Sequence, residues 1–121
     1  MKNDISILAY SPLEQGLLTG KIGMNTKMSD TEYRNFIPWY KPENRIKVLE
    51  MLENWQPLTR KYSCTMAQLV IAWTAAQKGI TSALCGARNP KNAIENASAI
   101  VNLSDNDIDL LRKDIVLLGA T

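Results

Sequence analysis

The sequence contains no histidine and only two cysteines, Cys64 and Cys85. Ser-His-Asp chemistry and histidine-based metal centres are thereby excluded within this chain. Two cysteines do not make a disulfide scaffold, and Cys64 and Cys85 are not spaced as zinc ligands, so no metal is expected. No apolar run approaches the roughly 20 residues of a membrane helix. The opening Met1-Lys2-Asn3-Asp4 lacks the apolar core of a signal peptide. A membrane span is therefore not expected, and a cytoplasmic, reducing location is. Excess charge is also lacking: 14 basic against 12 acidic side chains leave +2, too little to point to nucleic acid or anionic lipid. There is no Walker-type loop, no G-x-G-x-x-G, and no pair of carboxylates arranged for glycosidase chemistry.

What is present is an ordinary globular composition, 45% apolar and 21% charged over 121 residues, without repeats or a linker-like shift. This reads as one domain, 1–121. Ile5-Ser6-Ile7-Leu8-Ala9 predicts a strand that stops near Tyr10, because Pro12 cannot donate to a sheet ladder. Its mostly apolar character predicts a parallel strand covered on both faces. Residues 11–41, with Gly16, Gly20, Gly23, Pro12 and Pro38, read as one long irregular loop.

Pro42-Glu43 opens a helix running to about Tyr62, with Ile46, Leu49, Leu52, Trp55 and Leu58 on its apolar side and Pro57 kinking or shortening its end. Thr65-Met66-Ala67-Gln68 has the form of a capping box. It starts a helix that buries Met66, Leu69, Val70 and Trp73 and ends at Gly79. Ile80 to Cys85 is a second strand. Asn89-Pro90 begins a helix carrying Ala93, Ile94 and Ala97, and Ser104 caps a last one with Ile108, Leu111 and Ile115 on its buried side. Strands alternating with helices mean a parallel α/β fold. Two strands alone leave unpaired edges, so the sheet is completed by further strands or by another chain.

Two segments can carry chemistry. Gly86-Ala87-Arg88-Asn89-Pro90 leaves a strand and enters a helix, whose first N–H groups are unpartnered and partly positive; with Arg88 this suits a phosphate. The plainer reading is a turn, a cap and a solvated arginine. Tyr10-Ser11-Pro12-Leu13-Glu14-Gln15-Gly16 lies at the carboxyl end of the other strand, where ligands of parallel α/β folds bind. Tyr10 offers a ring on which a flat heterocycle can stack, or else fills a rim. Lys21 and Arg34 either close over an anion or are simply solvated. Cys85 reads as a small buried hydrophobe and not a nucleophile, since no histidine activates it. Phe36, Trp39 and Tyr40 either line a pocket or pin the loop to the helices.

Ala9-Tyr10-Ser11-Pro12-Leu13-Glu14-Gln15-Gly16-Leu17-Leu18-Thr19-Gly20-Lys21 resembles the seventh-strand segment of the aldo-keto reductases, in the bacterial branch similar to voltage-gated potassium channel beta subunits. Ala67 to Trp73 resembles the helix before that family's last strand. Gly86-Ala87-Arg88-Asn89-Pro90 with Ala93-Ile94-Glu95-Asn96 resembles its coenzyme-binding eighth-strand segment, and Leu103 to Ile108 its terminal helix start.

The resemblance implies a partial (β/α)8 TIM barrel, the last two strands with their helices. It implies an oxidoreductase that reduces aldehydes or ketones by hydride transfer from NADPH. Tyr10 would then stack on the nicotinamide, and Ser11, Leu13, Gly16 and Lys21 would border the pyrophosphate. Arg88, following Gly86, would face the 2′-phosphate. Glu95 and Asn96 would hold the adenine end, with Asn92 where many relatives have arginine or glutamine. The family's catalytic aspartate, tyrosine, lysine and histidine come from the first half of the barrel, so no catalytic residue is expected here. The chain is then expected to be the C-terminal portion of a barrel of about 250 residues. It would be inactive alone, with its carbonyl substrate bound by the longer protein. The alternative is a non-catalytic NADPH-sensing module, or a homo-oligomer formed through exposed strand edges.

Overall fold

A computed structural model describes residues 3–119. In chain order it has β1 (Leu8–Tyr10), three short 3-10 helices (Glu14–Thr19, Tyr33–Phe36, Pro38–Tyr40), α1 (Pro42–Asn54) and α2 (Gln56–Lys61). There follow α3 (Met66–Ala75), β2 (Ser82–Leu84), α4 (Pro90–Ala97) and α5 (Asp105–Leu118). The two strands pair in parallel, with Leu8 opposite Ser82, Ala9 opposite Ala83 and Tyr10 opposite Leu84. Both loops that leave their carboxyl ends therefore start side by side.

The stretch 11–41 is more regular than its composition predicts, since three 3-10 turns organise it. Leu17 and Tyr40 carry it into the core, and the half-buried Trp39 packs beside them. Of the three aromatics, Trp39 and Tyr40 pin the loop, whereas Phe36 is largely exposed.

The single helix expected over 42–62 is two. Pro57 has no N–H for the carbonyl of Glu53, and its ring clashes with that carbonyl. The chain breaks at Trp55, and Pro57 falls in the first turn of α2. The buried side of α1 also differs from expectation: Val48, Met51, Leu52 and Trp55 are buried, while Ile46 is exposed. A spacing of three drifts around a helix of 3.6 residues per turn, whereas i, i+3, i+4, i+7 stays on one face.

Thr65 and Gln68 form the predicted capping box, with Gln68 N donating to Thr65 Oγ1 (3.2 Å) and Thr65 N to Gln68 Oε1 (3.0 Å). The helix they start, α3, is the centre of the fold. It buries Met66, Leu69 and Val70 with α1 and α5, and it also packs on the loop after β1, on β2 and on α4. It stops at Ala75, with Ala76 as its cap, earlier than expected. Gly79 (φ 90°) instead makes the left-handed turn into β2.

The expectation that the strands are covered on both faces fails. The sheet is covered on one face only, where Ala9 and Ala83 are half-buried; on the other, Leu8, Tyr10 and Leu84 are exposed. On α4, Ala93, Ile94 and Ala97 are likewise exposed.

Candidate functional site

The loops leaving β1 and β2 enclose a cleft of about 780 Å³. That is within the range of small-molecule and cofactor sites. All ten residues expected to bind coenzyme line it: Tyr10, Ser11, Leu13, Gly16 and Lys21 from the first segment, and Gly86, Arg88, Asn92, Glu95 and Asn96 from the second. The parallel register brings them together, because Tyr10 and Leu84 end their strands opposite one another. A second cavity of about 220 Å³ lies between α1, α3 and α5 among Trp39, Trp55 and Trp73. Its lining is almost wholly apolar, so it lacks the convergent polar groups that orient a polar ligand.

On the first side of the cleft, the Tyr10 ring stands 80% exposed. After it the backbone turns sharply: Ser11, Glu14, Gln15 and Gly16 all have positive φ. The strain suits glycine only at Gly16 (φ 98°), where an added Cβ would meet Ile22, Arg34 and Tyr40 at 3.6–3.9 Å. Lys21 crosses to the other side and pairs with Glu95, Nζ to Oε2 at 2.9 Å. The Lys21 ammonium holds the Glu95 carboxyl below its usual range, against a smaller opposing effect of burial.

On the second side, Asn89 caps α4 by accepting from Asn92 N (2.8 Å). Asn96 Nδ2 donates to the Gly86 carbonyl (3.1 Å) and so ties α4 to the loop after β2. Gln68 Nε2 donates to the Glu95 carbonyl (3.0 Å), tying α4 to α3. Arg88 is exposed and makes no ion pair among the described residues. The Cys85 thiol reaches only its own strand's Ala83 carbonyl, and burial pushes its pKa up, which disfavours a thiolate.

Arg34, open between two readings on sequence alone, also lines the cleft. Glu32 holds it at two points, Nε to Oε1 (3.1 Å) and Nη2 to Oε2 (3.3 Å). This pairing raises the Arg34 pKa and lowers that of Glu32. Gln15 and Thr19 line the cleft too, and no sequence signal singled them out. Elsewhere, Lys61, Tyr62 and Asp107 meet: Asp107 Oδ2 accepts from Lys61 Nζ (2.6 Å) and from the Tyr62 hydroxyl. None of the three lines the cleft; they staple α2 to α5. Among the described residues no three His, Cys, Asp or Glu side chains could hold a metal, and no helix is long and apolar enough to cross a membrane.

The fold is that of a section of a (β/α)8 barrel. It superposes with a TM-score of 0.87 on the glycerol dehydrogenase AKR11B4 from Gluconobacter oxydans, over 99% of this chain and 37% of that one; at 24% identity this is a likeness of fold. The profile of the Aldo/keto reductase family matches residues 1–115, and the chain belongs to that family. It is 42% identical over 120 residues to the NADH-specific methylglyoxal reductase of Escherichia coli (strain K12), covering 92% of this chain and 34% of the relative. It is 31% identical over 113 residues to the aldo-keto reductase yakc of Schizosaccharomyces pombe, whose name specifies NADP(+), covering 93% of this chain and 33% of that protein. The chain thus spans about a third of the length of these curated relatives.

Proposed function

We propose that these residues form the coenzyme side of an NADP(H)-dependent oxidoreductase that reduces an aldehyde or ketone by hydride transfer. The observation that carries this reading is the convergence of ten residues, from segments on either side of α3, on one cleft at the strand ends. A dinucleotide fits its order of groups. Tyr10 takes the nicotinamide face. Ser11, Leu13, Gly16 and Lys21 border the pyrophosphate, and Arg34 adds a second cation near Gly16, its Nη1 3.9 Å from where a Cβ would lie. Arg88, with Gly86 beside it and no ion pair among the described residues, receives the 2′-phosphate. Asn96 is positioned by its bond to Gly86 and keeps its side-chain oxygen for the adenine amino group, with Glu95 alongside; Asn92 closes that corner without charge. Reduced nicotinamide supplies the hydride that adds to the carbonyl carbon. The proton donor and the rest of the substrate pocket belong to parts of the barrel outside this chain, so the chain alone turns over no carbonyl compound. Its two unbridged cysteines fit the reducing cytoplasm.

A second reading takes NADH as the coenzyme. The 42% identical relative is named for NADH, and Asn92 adds no charge beside Arg88. Titration of the chain with NADPH and with NADH, followed by nicotinamide fluorescence, separates them. Tighter binding of NADPH is expected. Equal or tighter NADH binding gives the second reading, binding of neither removes the coenzyme role, and carbonyl reduction by the pure chain refutes the absence of a proton donor.

A further inference from the structure

We propose that Tyr40 is a positioning residue for the coenzyme-facing loop: its buried hydroxyl holds the Glu14–Gly16 backbone in the shape that faces the cleft. This rests on the reading of the cleft as a coenzyme site. Three consecutive residues there are left-handed, Glu14 (φ 46°), Gln15 (φ 57°) and Gly16 (φ 98°). Glycine adopts that region freely. Glutamate and glutamine do so at a cost, and such a run persists only where its surroundings over-determine it.

Bonds within the loop close the turn, from Glu14 N to Ser11 O (3.1 Å) and from Gly16 N to Leu13 O (3.0 Å). Among the described residues, the outside tie to the left-handed carbonyls comes from Tyr40, whose hydroxyl donates to Gln15 O (2.8 Å) and reaches Glu14 O at 3.5 Å. In a trans peptide the N–H points opposite to the C=O. Drawing the Glu14 carbonyl toward Tyr40 therefore turns the Gln15 N–H away from the core.

Tyr40 is itself held in place. It is 2% exposed, and Arg45 donates to its carbonyl through Nε (3.1 Å) and Nη2 (2.8 Å). The guanidiniums of Arg34 and Arg45 lie 5.9 and 5.6 Å from its ring centre. Arg34 itself lines the cleft, so one buried ring organises both the loop and a cleft cation.

Tyr40→Phe removes the hydroxyl and keeps the ring. In the ligand-free chain, amide hydrogen exchange over residues 13–19 is expected to quicken at least about fivefold while α3 stays protected; one net hydrogen bond is worth about that factor. Coenzyme binding, by fluorescence titration, is expected to weaken by about five- to tenfold. Gln15→Asn, which suits the left-handed region better, is expected to recover most of that loss in the Tyr40→Phe background. Unchanged exchange at 13–19, exchange rising equally in α3, faster loop exchange with unaltered coenzyme affinity, or no recovery by Gln15→Asn each overturns the proposal. If the unmutated chain binds neither coenzyme, the proposed function falls, and an unchanged exchange rate at 13–19 in Tyr40→Phe still refutes the tie independently.

Discussion

Lys21 Nζ lies 2.9 Å from Glu95 Oε2, joining the loop after β1 to α4 across 74 residues of sequence. The Lys21 side chain is 57% exposed and that of Glu95 15%. An ion pair with one end in water contributes at most about 1 kcal/mol. Its importance is geometric, since it closes the cleft between the two segments and holds a cation where a pyrophosphate is expected. Lys21→Met should therefore cost little in thermal stability. It should weaken coenzyme binding by about tenfold or more, as loss of a charge-assisted contact does. Denaturation and titration of the same variant check this; a large fall in stability with unchanged binding would reverse the assignment.

Arg88→Ala separates the coenzymes. A charge-assisted hydrogen bond to phosphate is worth about 1.5–3 kcal/mol, or roughly 10- to 150-fold in affinity. NADH has no 2′-phosphate to lose. The variant should bind NADPH more weakly by that factor and NADH nearly as before, with no change in folding because Arg88 is exposed and makes no ion pair among the described residues. Equal losses for both coenzymes count against the 2′-phosphate role.

The convergence of these ten residues on one cleft was legible in sequence because two short motifs each dictate a strand end, and a parallel ladder sets strand ends side by side. Tyr10 and Leu84 need only pair for Ser11–Lys21 and Gly86–Asn96 to share a cleft. Helix starts were legible for the same local reason, as at Thr65 and Ser104, whose side chains accept from Gln68 N and Asp107 N. Burial was not. The strands read as covered on both faces, yet Leu8, Tyr10 and Leu84 are exposed, and Ile46 and Val48 are separated only by helical phase. The tie from Tyr40 to Gln15 was illegible because it joins residues 25 apart through one hydroxyl, and composition carries no trace of such contacts.

Acid should act on the staple between α2 and α5. The Lys61 ammonium, then the Tyr62 hydroxyl, hold the Asp107 carboxyl below its usual range. A depressed folded pKa contributes stability that is present above the unfolded value, about 3.9, and is lost as pH falls through the folded one. Lys61 is shifted the opposite way, upward, chiefly by its bond to Asp107. Its contribution is present below the ordinary lysine range and is lost as pH rises through the raised value. Asp107→Asn should lower stability near neutral pH by about 1 kcal/mol, since the Lys61 end of the pair stands in water, and flatten both limbs. Denaturant midpoints followed from about pH 3 to pH 11 test it; unaltered limbs in the variant would place the pH dependence elsewhere.

The uncovered sheet face makes its own prediction. Among the described residues the sheet is two parallel strands with both outer edges unpaired, below the size at which a sheet is stable alone. Here the open face also exposes Leu8 (54%), Tyr10 (80%) and Leu84 (47%). Water is a poor solvent for such a surface, at roughly 25 cal/mol for each Å² of apolar area. The isolated chain should therefore self-associate at micromolar concentration, and NADPH should weaken that association, because Tyr10 and Leu84 belong both to this face and to the lining of the cleft. Charge placed on the face should oppose this, since an ammonium cannot be buried unpaired. The double variant Leu8→Lys, Leu84→Lys should elute at the monomer mass with α3 still folded by circular dichroism. Light scattering on the eluted peak decides it. A monomeric unmutated chain would show that the α3 side alone stabilises the pair of strands, and association that survives both lysines would move the contact to another surface.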